Sequence, residues 1–349
     1  DAPCHHDGGA RPRATLSPVE SKHLVTLANR KQFHAAAGVS LLDAARDAGL
    51  ALEHGCRTGR CGSCRTQVLA GTTKPLGIDL YLDEAQRAAG WVLSCVAEAA
   101  SDLQLDTEDL GELAGIAVKT LPARIKTLAR PAPEVLQMTL RLPPNNGFCY
   151  LAGQYINLIA PGGARRSYSL ANAPTADGEL ELHIKRVDGG LMSTQLFEQA
   201  AAEQLLRFEG PRGSFFLRDV TGRDLVFLAT GTGIAPIKAM LEALSQRPAE
   251  QQARSVHLLW GGRQPADLYW TPGSYSFALR YTPVLSRADA SWIGARGHVQ
   301  QVLLADAPNL AEAAVYACGS LAMVDDARAA CIAAGLAPKQ FHADAFVSA

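Results

Sequence analysis

At 349 residues with 48% hydrophobic content, the chain is long enough for two or three domains, each with a core of its own. A formal net charge of −1 and a pI near 6.8 supply no basic field for polyphosphate, which sets nucleic acid aside as a partner. No apolar run reaches the length of a membrane span, the first residues lack the apolar stretch of a secretory signal, and eight cysteines are too sparse for a disulfide scaffold, so a soluble cytoplasmic protein is expected.

Residues 1–20 carry Cys4-His5-His6 and then Gly, Arg and Pro with almost no large apolar side chain, and are expected as a disordered leader; a metal reading of the triplet is the less favoured alternative. From His23 the pattern changes. His23–Leu27 and a short run near Gln32–His34 read as a hairpin turned at Asn29, and Ser40 as the N-cap of a short helix that Gly49 stops. Strands over Thr66–Leu69 and Leu103–Leu105, with a helix from Asp83 to Ala89 ended by Gly90, complete a unit over residues 21–110.

Within that unit, Glu53–Arg65 places Cys56, Cys61 and Cys64 in a C-x4-C-x2-C arrangement, and Cys95 follows after thirty intervening residues. This is the spacing of a plant-type [2Fe-2S] site, whose two irons need four soft anionic ligands. One loop can supply three of them only by winding tightly round the cluster, which Gly55, Gly59 and Gly62 permit. A structural zinc, a disulfide pair or four unrelated buried thiols are the alternatives. Zinc sites usually pair two short C-x2-C knuckles, and only one is present.

Six acids and no Lys or Arg between Glu98 and Glu112 read as a solvated edge, leading into a linker over residues 111–120. Residues 121–220 then hold strand-like runs at Ala123–Leu128, Val135–Leu142, Gln154–Ile159 and Leu180–Val187, separated by Pro- and Gly-containing turns, which suggests a small antiparallel barrel. Arg166-Ser167-Tyr168-Ser169 offers a guanidinium for a phosphate, a flat phenol and a small hydroxyl. Downstream, Gly190-Leu191-Met192-Ser193 opens a helix whose free amides suit a pyrophosphate. Taken alone, either fragment would pass for an ordinary strand or turn.

Over residues 221–349 the periodicity becomes α/β. The buried-type strand Leu225–Thr230 runs into Gly231-Thr232-Gly233-Ile234-Ala235-Pro236 and a helix to about Leu244, with Pro236 in the first turn where its missing N–H costs nothing. Such a turn brings backbone amides against a dinucleotide at the carboxyl edge of a parallel sheet. Further strands at Val256–Trp260, Tyr281–Val284 and Ala314–Ala317 alternate with helices.

In order, R-x-Y-S, G-x-x-S, G-T-G-x-A-P, Cys318-Gly319 after a strand and the terminal Asp344-Ala345-Phe346 resemble the ferredoxin-NADP reductase superfamily, here with a ferredoxin fused at the front. The match extends over nearly everything beyond residue 21. The resemblance implies a multidomain α+β and α/β chain: a β-grasp ferredoxin, an antiparallel β-barrel flavin domain and a Rossmann-like parallel α/β nucleotide domain. It implies a [2Fe-2S] cluster on Cys56, Cys61, Cys64 and Cys95, FAD, and NADH or NADPH. Arg166, Tyr168, Ser169, His183, Lys185, Gly190 and Ser193 would serve the flavin. Thr230, Gly231, Thr232, Gly233, Pro236 and Arg263 would line the pyridine nucleotide. Ser169, Cys318, Asp344 and Phe346 would surround the reacting atoms, with the Phe346 ring stacked where nicotinamide must enter. As a small buried hydrophobe, Cys318 could equally be core, and Phe346 a core aromatic.

The reaction so implied follows from electron counting. Nicotinamide gives two electrons as a hydride whereas the cluster takes one, so a flavin must stand between them, with transfer from C4 of nicotinamide to N5 of FAD. The strand ending Trp260-Gly261-Gly262-Arg263 shows no acid at its tip, and Arg263 could accept a 2′-phosphate; the resemblance nevertheless favours NADH. The acceptor is expected to be a protein, an iron-sulfur deoxysugar dehydratase first and a ring-hydroxylating dioxygenase or diiron monooxygenase second. Arg57, Arg60 and Arg65 are expected to dock on its acidic patch, and the chain to act as a monomer. A redox-responsive binding protein without turnover is the competing class.

Overall fold

The protein was analysed as a computed structural model that describes residues 22–347, so the expected leader and its Cys-His-His triplet lie outside the described residues. In the first unit, β1 (Lys22–Leu27) and β2 (Gln32–Ala36) pair antiparallel, with Val25 opposite Phe33. Helix α1 (Leu41–Asp47) starts at Ser40, whose hydroxyl accepts the Asp43 amide at 3.0 Å, and buries Leu41, Leu42, Ala44 and Ala45. Then come β3 (Arg65–Ala70), β4 (Thr73–Pro75), α2 (Glu84–Ala88), β5 (Trp91–Leu93), β6 (Ala97–Ala99) and β7 (Leu103–Leu105). The main sheet runs β2-β1-β7-β3-β5, with β1 and β7 parallel, and it closes on α1 through Val25, Phe33, Leu52, Leu103 and Leu105. A mixed sheet clasping one helix is the expected β-grasp. Strands β4, β5 and β6 have three residues each, too few for a two-residue period to register in the sequence.

The acidic stretch after β7 does more than face water. Asp109 accepts the Ala51 amide at 2.7 Å and pairs with Lys31, and Asp106 and Glu108 reach Lys339 at 3.1 and 3.2 Å. These bonds fasten the end of the first unit to its own core and to the third unit.

The second unit comprises β8 (Lys119–Ala132), β9 (Val135–Arg141), β10 (Tyr155–Ile159), β11 (Arg165–Ser169), β12 (Leu180–Lys185), α3 (Leu191–Gln199) and β13 (Leu205–Arg212). Its antiparallel order is β11-β10-β13-β8-β9-β12, and a bridge between Leu170 and Leu182 joins the two edges into a barrel around Ile125, Met138, Ile156, Leu182 and Phe208. Strand β13 was hidden by Gly210-Pro211, which interrupt its alternation.

The third unit holds β14 (Asp224–Thr230), α4 (Ile234–Ser245), β15 (Ser255–Gly262), β16 (Leu279–Leu285), β17 (Ala295–Arg296), α5 (Val299–Ala305), β18 (Ala313–Ser320), α6 (Leu321–Ala333) and β19 (Phe341–Phe346). All pairings are parallel, in the order β17-β16-β15-β14-β18-β19. Along β14, Leu225, Phe227 and Ala229 enter the core on one face and Val226 and Leu228 the core on the other, as a sheet covered on both sides requires. The chain enters at β14, winds outward to β17 and returns to β18 on the opposite flank. That reversal leaves a crevice outside the carboxyl ends of β14 and β18, where doubly wound sheets bind ligands.

Candidate active site

Residues 51–64 form no helix or strand, and Arg57, Gly59 and Gly62 all adopt positive φ. A Cβ on Gly59 would lie 2.2 Å from the Ile78 carbonyl oxygen, and one on Gly62 would lie 2.2 Å from the Tyr81 ring, so the loop reaches this curvature only with glycine at both positions. The coil gathers four thiols into two pairs. Cys61 Sγ accepts the Cys56 amide at 3.3 Å, Cys56 Sγ accepts the Thr58 amide at 3.4 Å, and Cys64 Sγ lies 3.2 Å from Cys95 Sγ. The Cys61 thiol and the Thr58 and Arg60 amides outweigh burial and hold Cys56 well below the ordinary thiol range; Cys64 and the Gly59 amide do the same for Cys95. Among the described residues no three ligating side chains converge on one point. Two irons with two thiolates each fit that division, whereas a single zinc ion would gather all four.

At the crevice, Gly233 and Gly319 let the ends of β14 and β18 touch. A Cβ on Gly233 would stand 2.2 Å from the Cys318 carbonyl oxygen, and one on Gly319, at φ +150°, 2.0 Å from Thr230 Oγ1. Gly231 instead faces open space, and the Trp260 indole holds its carbonyl at 3.0 Å. The crevice, about 880 Å³, is lined by Lys185, Thr230, Gly231, Thr232, Arg263 and Phe346 among others. Pro236 is buried in the first turn of α4.

On the barrel, Ser169 is buried, Tyr168 half-buried and Arg166 exposed, all on β11. Burial pushes the Tyr168 hydroxyl up to about 12 against the pull of Arg166. Ser193 Oγ accepts the Val187 amide at 3.2 Å and donates to the Gly190 carbonyl at 3.1 Å, so it shapes the turn that opens α3. Val187 and Phe346, on the crevice wall, leave 54% and 40% of their surfaces uncovered, and Leu191, the first residue of α3, leaves 87%. A flat heteroaromatic ring with a pyrophosphate is the kind of ligand that would cover them.

His183 is placed differently from the other candidates. Its Nδ1 meets the Tyr269 hydroxyl at 3.0 Å and its Nε2 the Glu181 carboxylate at 2.7 Å, which leaves neither ring nitrogen for a ligand. Together with Lys238, bonded to Ala171, Glu181 and Glu242, it ties the barrel to the parallel-sheet unit.

The thiol loop and the crevice meet at β19. Cys318 is wholly buried opposite Asp344, and Ser320 is opposite Phe346. Asp344 is partly buried, and burial, then the neighbouring Cys56, pushes its carboxyl up to about 7. A Cβ on Gly55 would come within 3.5 Å of Asp344 Oδ1. Cys61 lies in one apolar cluster with Phe341 and Ala345. The barrel grips the same stretch: the Tyr155 hydroxyl donates to the Gly55 carbonyl at 2.9 Å, the His54 amide donates to Ser214 Oγ at 2.7 Å, and the Ser214 amide donates back to the His54 carbonyl at 3.1 Å. Glu53 with Arg218 and His342, and Tyr81 with Asp325, extend the junction.

Sequence reasoning missed Tyr155 and Ser214, since a residue's partner 100 or 160 positions away leaves no spacing to detect. It also missed Asp267, five residues past the end of β15. A turn over Pro265–Asp267 brings Asp267 Oδ2 back to the Arg263 amide at 2.8 Å and its guanidinium at 3.4 Å, on the crevice wall. The acid that seemed absent from β15 is therefore present. Arg57 turns inward to Asp43 and Arg65 stacks over Trp91, so neither simply projects toward a partner.

Comparison with known proteins agrees with this layout. Residues 25–100 match the 2Fe-2S iron-sulfur cluster binding domain, 123–217 the oxidoreductase FAD-binding domain and 227–329 the oxidoreductase NAD-binding domain. The chain is 41% identical to CDP-6-deoxy-L-threo-D-glycero-4-hexulose-3-dehydrase reductase of Yersinia pseudotuberculosis, over 88% of this chain and 93% of that one. It is 34% identical to terephthalate 1,2-dioxygenase reductase component 2 of a Comamonas species, over 90% and 94%. An Amycolatopsis cytochrome P450 reductase of known structure superposes with a TM-score of 0.69 at 28% identity, covering 93% of this chain and 99% of that one. No described helix is long and apolar enough to cross a membrane. The chain belongs to the iron-sulfur flavoprotein reductases, oxidoreductases that join a [2Fe-2S] domain, an FAD-binding barrel and an NAD-binding domain in one polypeptide to pass electrons to partner proteins.

Proposed function

We propose that the chain draws a hydride from NADH and releases its two electrons one at a time, through the centre held by Cys56, Cys61, Cys64 and Cys95, to an iron-sulfur 3-dehydrase acting on a CDP-linked 6-deoxyhexulose. Bound FAD supplies the two-to-one electron step. Arg166, Tyr168, Ser169, Gly190 and Ser193 hold it on the barrel, with Lys185 at the crevice edge and His183 bracing the barrel against the third unit. Thr230, Gly231, Thr232, Gly233 and Pro236 receive the nucleotide, and Cys318, Asp344 and Phe346 enclose the place where the two rings meet, Phe346 yielding to nicotinamide. The observation that carries the reading is the clasp of Tyr155 and Ser214 on Gly55 and His54, which seats the thiol loop against the end of β19 beside the crevice. The protein works as a monomer in the cytoplasm, a reducing compartment that keeps four ligand thiols available.

Asp267 supports NADH as the coenzyme, because it pairs Arg263 and places a carboxylate where a 2′-phosphate would otherwise be read. Asp267→Ser should lower the NADH over NADPH preference in kcat/KM by about tenfold, the effect of one lost charged hydrogen bond. A strong NADPH preference in the wild type refutes the choice. For the acceptor, the 41% identity to the dehydrase reductase outweighs the 34% to the terephthalate component. NADH-driven turnover with each purified acceptor decides between them; selective reduction of the oxygenase component would establish the second reading.

A further inference from the structure

The thiol loop is covered on two sides by different parts of the chain. Cys56 and Cys61 pack with Phe341 and Ala345 of β19, whereas Cys64 packs in a separate cluster with Leu82, Leu93 and Tyr81. Over that second side runs the segment from Leu76 to Leu82. The Leu80 amide donates to the Gly59 carbonyl at 3.0 Å, and the Leu76 and Gly77 amides donate to the Val96 carbonyl, next to Cys95, at 2.8 and 3.2 Å. Leu82 is buried and Tyr81 turns to Asp325, but Leu76, Ile78 and Leu80 point outward, 42%, 73% and 62% exposed. Nowhere else among the described residues do three large apolar side chains stand exposed within five positions.

We propose that Leu76, Ile78 and Leu80 are the docking surface for the protein electron acceptor, an inference that rests on the reading above. Electron transfer falls steeply with distance, so an acceptor must approach the ligand loop itself. The flavin-facing side is occupied by β19 and the barrel, and the Leu76–Leu80 segment bonds directly to backbone beside Cys95 and in the Cys56–Cys61 turn. Around the patch, Arg60, Lys74 and Arg87 alternate with Asp79, Asp83, Glu84 and Glu98, so its rim carries both signs and its centre is apolar. The surface therefore fits a one-electron acceptor protein that presents an apolar recess with a polar border. A second copy of this chain is the competing occupant.

The test compares the wild-type holoprotein with Ile78→Ser/Leu80→Ser and with Leu69→Ser, which removes an equally exposed leucine from β3. NADH-driven ferricyanide reduction should be the same in all three. With the purified 3-dehydrase as acceptor, or the terephthalate oxygenase component if the wild type drives only that, the double variant should raise KM for the acceptor about tenfold with kcat nearly unchanged, and Leu69→Ser should not. An unchanged KM in the double variant overturns the proposal, as does a wild-type dimer in sedimentation that the double variant abolishes. A wild type that drives neither acceptor overturns the acceptor reading, and the patch with it.

Discussion

The thiol loop and the nucleotide crevice reach comparable chemical definition by opposite means. Three of the four cysteines lie within nine residues, and their geometry is set by glycines in the same turn. The crevice instead takes Thr230 from β14, Gly231 and Thr232 from the turn after it, Asp267 from beyond β15, Gly319 from β18 and Phe346 from β19, and only the strand order brings them together. A site built from one stretch of chain depends on local conformation. One built from strand ends depends on the whole sheet.

Substitution of the ligands should separate the two regions most sharply. Cys61→Ser removes a thiolate from the buried half of the loop, and is expected to abolish the cluster's visible absorbance and cut reduction of a protein acceptor by at least about a hundredfold, more than changes around metal ligands usually cost. NADH-driven ferricyanide reduction should survive, because the crevice owes nothing to that sulfur; its parallel loss would show the units to be interdependent. The converse experiment is Gly233→Ala. The added methyl meets the Cys318 carbonyl at 2.2 Å, so the turn that follows β14 and opens α4 must move off the end of β18. Displacing strand ends by about 1 Å should lower NADH-dependent reduction roughly a hundredfold, with roughly 1–3 kcal/mol lost in stability and the cluster spectrum intact. Smallest is Tyr155→Phe, which deletes the hydroxyl on Gly55 at the cost of about 1 kcal/mol. Stopped-flow bleaching of the cluster by NADH should slow several-fold while flavin reduction keeps its rate; equal slowing of both would place Tyr155 in the crevice rather than at the junction.

The same contrast explains what could be read beforehand. C-x4-C-x2-C with a distant fourth cysteine is a statement about one turn, and Ser40, Asp83 and Gly90 announced two helices through bonds that span three or four residues. The buried strand β14 and its glycine turn were equally plain, since a strand covered on both faces is apolar throughout. What escaped detection lies where the partner is remote. Tyr155 looked like a strand residue until its hydroxyl was seen on Gly55, and Ser214 followed a glycine turn with nothing to mark it as the seat of His54. Asp267 was overlooked because the acid was sought at the strand's last residue, whereas a turn carries it back from five positions on. His183 was expected among the flavin residues from the resemblance, but its neighbours Glu181 and Tyr269 take both nitrogens. The acids after β7 read as a wetted edge because composition cannot tell a solvated carboxylate from Asp109, which turns inward to cap Ala51.

The grip of Ser214 on His54 is made of amides, a hydroxyl and carbonyls, with no formal charge on any partner. Ionic strength screens charges and leaves such bonds nearly untouched. Concentrated salt would thus loosen the exposed pairs of Lys339, yet leave the handover inside the polypeptide in place. In brine the molecule would keep filling its own iron centre, and an acceptor seated on Leu76, Ile78 and Leu80 would still be held.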